Sequence, residues 1–208
     1  MIRVFLVDDH VIVREGIRRL IEDCTGMSVV GEVSTGREVL KRAETESWDV
    51  LVLDLSLPDM NGTEVLNRLL SLRPSLKVIV LSMYPEDQYG LRLLSMGAWA
   101  YLSKDRPPEE LLDAIRRVAS GRRYITDSLA ELAASPQRGQ GPRHDLLTDR
   151  EYQIFLLLFH GRSPAMVCEE LKLMPSTVST HIKAIKAKLG VQTLAEIVQY
   201  AFRAGISE

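Results

Sequence analysis

Cysteine is nearly absent: Cys24 and Cys168 are the only two in 208 residues, and they lie far apart. So low a number excludes a disulfide scaffold or a multi-cysteine metal cluster and suits a reducing compartment. Long hydrophobic runs are also missing. No stretch approaches the roughly eighteen consecutive apolar residues of a membrane span, so no membrane association is expected. The opening "MIRVFLVDDH" turns acidic after a short strand-like run and lacks the length and cleavage site of a signal peptide, which points to a cytoplasmic protein. There are no internal repeats. What remains, 46% hydrophobic and 26% charged residues, is the composition of an ordinary soluble globular chain, long enough for one large domain or two small ones.

Two patterns divide the chain. Residues 1–121 alternate short apolar runs, "IRVFLV", "SVVGEV", "DVLVLD", "KVIVLS" and "AWAYLS", with stretches of helical spacing. Three helical faces stand out: Ile12, Ile17, Leu20 and Ile21; Val65, Leu66, Leu69 and Leu70; and Leu111, Leu112, Ile115 and Val118. Near-continuous apolar strands separated by helices predict a doubly wound α/β domain whose five-stranded parallel sheet is covered on both faces. A linker is expected over 122–147; "ITDSLAELAA" forms a short helix within it, and "ASPQRGQGPRHD" is polar and aperiodic. Residues 148–208 read as a small all-α domain of four helices. Thr148 and Glu151 have the spacing of a capping box, Gly161 is placed to end that helix, and Ser163 with Pro164 opens the next. The second and third helices, with a tight turn between them, have the helix-turn-helix pattern.

Charge near the strand ends carries the chemistry. In a doubly wound sheet, ligands bind beyond the carboxyl ends of the strands. Asp8 and Asp9 follow the first strand, Asp54 ends the third, Ser82 follows the fourth and Lys104 the fifth. One aspartate at a strand end is commonly a surface residue or a helix cap; five polar groups at equivalent ends are not so easily dismissed. Three clustered carboxylates repel one another unless a cation lies between them. An oxygen-only set suits Mg²⁺, and one carboxylate, Asp54, is then placed to attack phosphorus and form an aspartyl phosphate. The turn Pro58 to Gly62 behind Asp54 is placed to expose it. Lys104 supplies a point charge for a phosphoryl oxygen, and Ser82 a hydrogen bond to another.

"VFLVDDH", "LVLDLSLPDMNG", "VIVLS" and "AYLSKDRPPEEL" closely resemble the receiver domains of two-component response regulators, which are flavodoxin-like. "LTDREYQIF…STVSTHIKAIKAKLGV" is similar to the four-helix DNA-binding domain of the NarL/FixJ (LuxR-type) class. The resemblance spans nearly the whole chain outside the linker. It implies Mg²⁺ bound by Asp8, Asp9, Asp54 and the backbone carbonyl of Ser56. It further implies phosphorylation of Asp54 by a sensor histidine kinase, a switch through Ser82, Lys104 and Tyr101, homodimerisation, and control of promoter DNA rather than turnover of a metabolite. For Tyr101, plain packing at a strand end is the alternative to switching. The motif departs from the usual form at "KDRPPEE", where Arg106 precedes a doubled proline, and at Tyr89 and Trp99, which stand where small residues are usual. Those two aromatics read either as partner anchors or as core fillers.

In "STVSTHIKAIKAKLG", Val178, Ile182, Ile185 and Leu189 should face the core, turning Ser179, Thr180, Lys183 and Lys186 outward. By resemblance, Ser179, Thr180 and Lys183 face bases; Lys186 and Lys188 are phosphate contacts or solvated surface. This stretch has three lysines and no acid. Met174 stands where a serine cap is usual, a loss of about 1 kcal/mol that Pro175 partly offsets; Ser176 capping a shorter helix is the alternative. In the last helix, Val191, Leu194, Ile197 and Val198 are expected inward, with Gln199 and Tyr200 as candidate interface residues and core packing the alternative for Tyr200. Two other functions fit parts of the chain. A Mg²⁺-dependent phosphatase would want an acid two residues after Asp54, where Ser56 stands. A protein-interaction module that no longer reads DNA would account for Pro164 and Met174.

Overall fold

The computed structural model describes residues 1–134, 143–204 and 206 and divides into two compact units, Met1–Ala134 and Ser135–Glu208. In the first, β1 (Ile2–Val7), β2 (Met27–Val33), β3 (Val50–Leu53), β4 (Val78–Ser82) and β5 (Ala100–Ser103) alternate with α1 (Val11–Glu22), α2 (Gly36–Thr45), α3 (Gly62–Leu72), α4 (Glu86–Ser95) and α5 (Pro108–Ala119). All strand pairings are parallel and the order is β2-β1-β3-β4-β5. Every residue of β3 and β4 is buried, as are Val4–Val7 of β1, which explains why these strands are apolar without alternation. The expected strands are present with ends shifted by no more than two residues.

Register fixes what meets at the carboxyl edge. Val7 pairs with Leu53 and Ser82 with Ser103, so Asp8 and Asp54 leave neighbouring strands at one level, with Ser82 and Lys104 beside them. The chain reverses between β1 and β3, the switch point at which such sheets open a crevice. The turn after Asp54 closes through an antiparallel bridge between Ser56 and Asn61 and a bond from Gly62 N to Leu55 O (3.0 Å). A Cβ on Gly62 would lie 2.7 Å from the Asp54 carbonyl oxygen, so only glycine lets the turn close this tightly beneath the acid.

One expectation is corrected in this unit. Ile12 is 87% exposed rather than on the packed face of α1. It precedes Ile17 by five positions, about 140° around a helix, so it cannot share the face that Ile17, Leu20 and Ile21 turn to the core. The short helix at the start of the linker, α6 (Asp127–Ala134), packs on the first unit, with Leu129 fully buried. Of the remaining linker, 135–142 lie outside the described residues, and 143–147 belong to the second unit.

The second unit contains a short 3₁₀ turn (Arg143–Leu146), α7 (Asp149–Phe159), α8 (Pro164–Glu170), α9 (Pro175–Leu189) and α10 (Leu194–Arg203). The capping box of Thr148 and Glu151 forms as expected, and the Ser163 hydroxyl caps α8 by accepting from Met166 N. Gly161 leaves α7 with φ 78°, and Gly190 ends α9 with φ 72°. The turn between α8 and α9 forces Lys172, a non-glycine residue, to φ 51°. The α9 helix starts at Pro175 with Met174 as an N-cap that accepts no side-chain bond, so the shorter helix capped by Ser176 is not formed.

Candidate functional site

Asp8 and Asp54 are 4% and 2% exposed, and one ammonium serves both: Lys104 Nζ lies 2.7 Å from Asp8 Oδ2 and 2.7 Å from Asp54 Oδ2. Backbone amides orient the acids further. His10 N donates to Asp8 Oδ1 (2.8 Å) and Ser56 N to Asp54 Oδ1 (3.2 Å). Arg14, one turn into α1, donates from Nη1 to the Asp8 carbonyl (2.6 Å), and Glu32 of β2 holds its Nε at 3.4 Å. Burial pushes the Asp54 carboxyl above its ordinary value, against the opposing pull of Lys104. Burial also lowers Lys104, but the two carboxylates more than offset it and leave the ammonium raised.

Three carboxylates face one lysine, so the crevice retains negative charge. Ligand atoms of Asp8, Asp9, His10 and Asp54 all lie within 4.8 Å of one another. Asp9 Oδ1 is buried and accepts no hydrogen bond, although His10 Nδ1 stands 2.8 Å away. Three carboxylates whose oxygens gather this closely fit a hard divalent cation such as Mg²⁺. The sequence signals His10 only by its position directly after the acid pair. Arg14 carries no such signal.

The remaining switch candidates converge on the same edge. Ser82 is fully buried, and its Oγ accepts from Tyr84 N (3.3 Å). Tyr101 is also fully buried and points inward, its hydroxyl donating to the Tyr84 carbonyl (2.8 Å). Burial drives the Tyr101 hydroxyl well above its ordinary value, so it remains a donor. Tyr89 is a core filler, 4% exposed with its ring 4.9 Å from that of Tyr84; Trp99 is half-buried with Lys77 over its face.

On α9 the expected division of faces holds. Val178, Ile182, Ile185 and Leu189 are buried, whereas Ser179, Thr180 and Lys183 are exposed and Lys186 is half-exposed. Thr180 Oγ1 donates back to the Ser176 carbonyl (2.9 Å). Lys188 is not a free surface lysine: its Nζ is 2.5 Å from Glu151 Oε2, which ties α9 to the cap of α7. In α10, Ile197 is buried and Val198 half-buried, as is Val191 just before the helix, but Leu194 is 36% exposed, contrary to expectation. As the first residue of the helix it lies at the mouth of a groove shared with α8 and α9 instead of over the core. Gln199 is exposed; Tyr200 is half-buried, and its hydroxyl accepts from His144 N (3.1 Å).

Known proteins share both units. The family model for the response regulator receiver domain matches residues 4–116, and that for bacterial regulatory proteins of the luxR family matches 145–201. Response regulator UvrY of Escherichia coli strain K12 is 36% identical over 210 residues, covering 99% of this chain and 96% of its own. Response regulator GacA of Pseudomonas aeruginosa is also 36% identical over 210 residues, covering 99% and 98%. A LuxR-family two-component response regulator from Aurantimonas superposes with a TM-score of 0.61 at 34% identity, over 64% of this chain and 96% of that one. RcsB from Salmonella enterica serovar Typhimurium, solved on promoter P1flhDC with the phosphomimetic BeF3⁻, gives 0.68 over 96% and 97% of the chains; at 24% identity this likeness concerns the fold.

Proposed function

The chain belongs to the LuxR-type response regulators, and from that membership and its acidic crevice we propose that Asp54 takes a phosphoryl group from a sensor histidine kinase and so controls how α9 engages promoter DNA. As a member of this family it acts as a phosphorylation-regulated, DNA-binding transcription factor. The observation that carries the site assignment is the pair of 2.7 Å contacts from Lys104 to Asp8 and Asp54, which marks where anionic charge is concentrated and compensated.

The Asp54 carboxylate attacks phosphorus in line with the donor nitrogen. An O–P bond forms as the N–P bond breaks, and the imidazole leaves with its electron pair and takes a proton from water. Asp8, Asp9, Asp54 and the Ser56 carbonyl would hold a Mg²⁺ ion, which would supply charge neutralisation for the phosphoryl oxygens. Lys104 shifts from the Asp54 carboxylate to a phosphoryl oxygen, its flexible stem allowing the move. The Ser82 hydroxyl turns to donate to another oxygen, and the Tyr101 hydroxyl follows into the space it leaves. Because Ser82 ends β4 and Tyr84 follows two residues later, such a movement reaches the start of α4. No acid stands two residues after Asp54, which argues against a phosphatase that must protonate leaving groups.

For DNA, α9 enters the major groove with Ser179, Thr180 and Lys183 toward base edges and Lys186 toward phosphate. Lys188, held by Glu151, acts chiefly by fixing α9 on α7. One such unit offers few basic contacts, so a homodimer reading two half-sites is the working form. The intact first turn of α9, despite Met174, favours DNA reading over a pure protein-interaction role.

Acetyl phosphate with Mg²⁺ should add the mass of one phosphoryl group to the native chain and none to Asp54→Asn. Duplexes selected from random DNA should bind the modified chain more tightly; Lys183→Ala should weaken that binding and relax its base preference, and Lys186→Ala should weaken binding to all sequences and reduce its salt slope by about one. Stoichiometric labelling of Asp54→Asn would refute the acceptor assignment.

A further inference from the structure

The face of α4 carries a built seat for α6, and the contacts there connect it to the loop that bears Lys104. Glu86, at the start of α4, is 7% exposed. Its carboxylate takes a two-pronged contact from Arg106: Nε meets Oε1, and Nη2 lies 3.0 Å from Oε2. Arg106 also reaches Glu110 through Nη1 (2.9 Å). Thr126, just before α6, donates from Oγ1 to Glu86 Oε2 at 2.6 Å, and the same hydroxyl accepts from Leu129 N (3.3 Å). One buried carboxylate thus joins the β5–α5 loop, α4 and the first turn of α6.

Apolar packing completes the seat. Leu129 is fully buried against Gly90 in the middle of α4, and a Cβ at Gly90 would overlap its methyl groups. A glycine inside a helix costs about 1 kcal/mol relative to alanine, so its presence in α4 answers to the neighbour that it admits. The approach to α6 is held too: Tyr124 N donates to the Trp99 carbonyl (3.0 Å) along the edge of β5, and Arg123 Nη1 reaches the Leu94 carbonyl (3.4 Å).

Building on the Asp54 reading, we propose that Glu86, Arg106 and Thr126 form a clasp that docks α6 on α4 in the unphosphorylated chain and opens when Asp54 is phosphorylated. Both ends of the clasp are close in sequence to groups that move in that reading. Arg106 lies two residues beyond Lys104, and Glu86 two beyond Tyr84, whose amide binds Ser82 and whose carbonyl binds Tyr101. When Lys104 and Ser82 draw toward the phosphoryl group, the guanidinium and the carboxylate no longer stay in register, Thr126 loses its acceptor, and α6 is released. The chain beyond α6 leads to the DNA-binding unit, so the clasp gives the receiver a direct hold on the connection between them.

Hydrogen exchange of the full-length protein tests this, with the intact mass recorded on the same sample. In the native chain, the α6 amides should exchange about tenfold faster once acetyl phosphate and Mg²⁺ have added one phosphoryl group, the worth of one hydrogen bond to a charged group. Thr126→Val, which keeps the branched shape and removes the hydroxyl, should show the faster exchange without donor while still accepting the phosphoryl group. Exchange at α6 that stays slow in a chain carrying the added mass overturns the clasp and leaves the Asp54 assignment standing. Absence of the added mass overturns that assignment and the switch built on it. Slow α6 exchange in Thr126→Val, with or without donor, overturns the clasp by itself.

Discussion

Replacing Lys104 by methionine keeps an unbranched apolar stem and removes the ammonium that lies 2.7 Å from both Asp8 and Asp54. The three side chains are only 7%, 5% and 2% exposed, so water cannot take over the ammonium's task. Removing one partner of a buried pair costs about 3–5 kcal/mol, because the other charge stays behind without compensation. That is a large share of a domain's stability, and at a urea slope of about 2 kcal/mol per molar it lowers the unfolding midpoint by about 2 M. Both tryptophans, Trp48 and Trp99, lie in the first unit, so their fluorescence follows this unit alone. Unfolding should be compared in EDTA near neutral pH for the native chain, Lys104→Met, Asp54→Asn and the double variant. The double variant should recover part of the loss, since Asp54→Asn removes one of the stranded charges. Acidification should help as well. Burial holds Asp54 above its ordinary value, so its protonation favours the folded state. This contribution is complete below the ordinary carboxylate range and is lost as pH rises through the raised folded value. In Lys104→Met the dependence should steepen. A Lys104→Met chain that unfolds within about 1 kcal/mol of the native one, with no gain from Asp54→Asn, would refute the idea that the carboxylates are held together at a cost.

Other predictions concern the second unit. Met174→Ser should raise its stability by about 1 kcal/mol in thermal or urea unfolding followed by circular dichroism, since it supplies the missing cap of α9. Lys172→Gly should also stabilise, by about 0.5–1 kcal/mol, because relief of the left-handed backbone exceeds the entropy that glycine loses on folding. For Glu151, burial pushes the carboxyl up, but the bonds from Lys188 and Thr148 outweigh it and leave it below its ordinary value. Its contribution to stability is therefore full above pH 4.5 and is lost as pH falls through the lower folded value; Lys188→Met should reduce that acid dependence in a pH series of melts.

The parallel sheet was legible because strands buried on both faces are written as unbroken apolar runs, and the acids were legible because they terminate those runs. Side-chain periodicity told less at helix ends. Ile12 sits in the first turn of α1, out of phase with Ile17, and Leu194 opens α10 where no neighbouring turn covers it. Pairings across long stretches of chain left no local trace. Lys188 reads as one of three surface lysines until Glu151, 37 positions earlier, is seen to hold it. Likewise Glu86, Arg106 and Thr126 are ordinary polar residues until the fold gathers them. Gly90 reads as a weakness in α4, and only the presence of Leu129 against it explains the missing side chain.

Calorimetric titration of the full-length protein with Mg²⁺ shows whether Asp8, Asp9 and Asp54 share one cation beside the acceptor oxygen. One site should be found in the native chain, weakened at least about tenfold by Asp9→Asn, which leaves the Lys104 contacts intact. Equal Mg²⁺ affinity in the two proteins would mean that Asp9 is not a ligand of the cation.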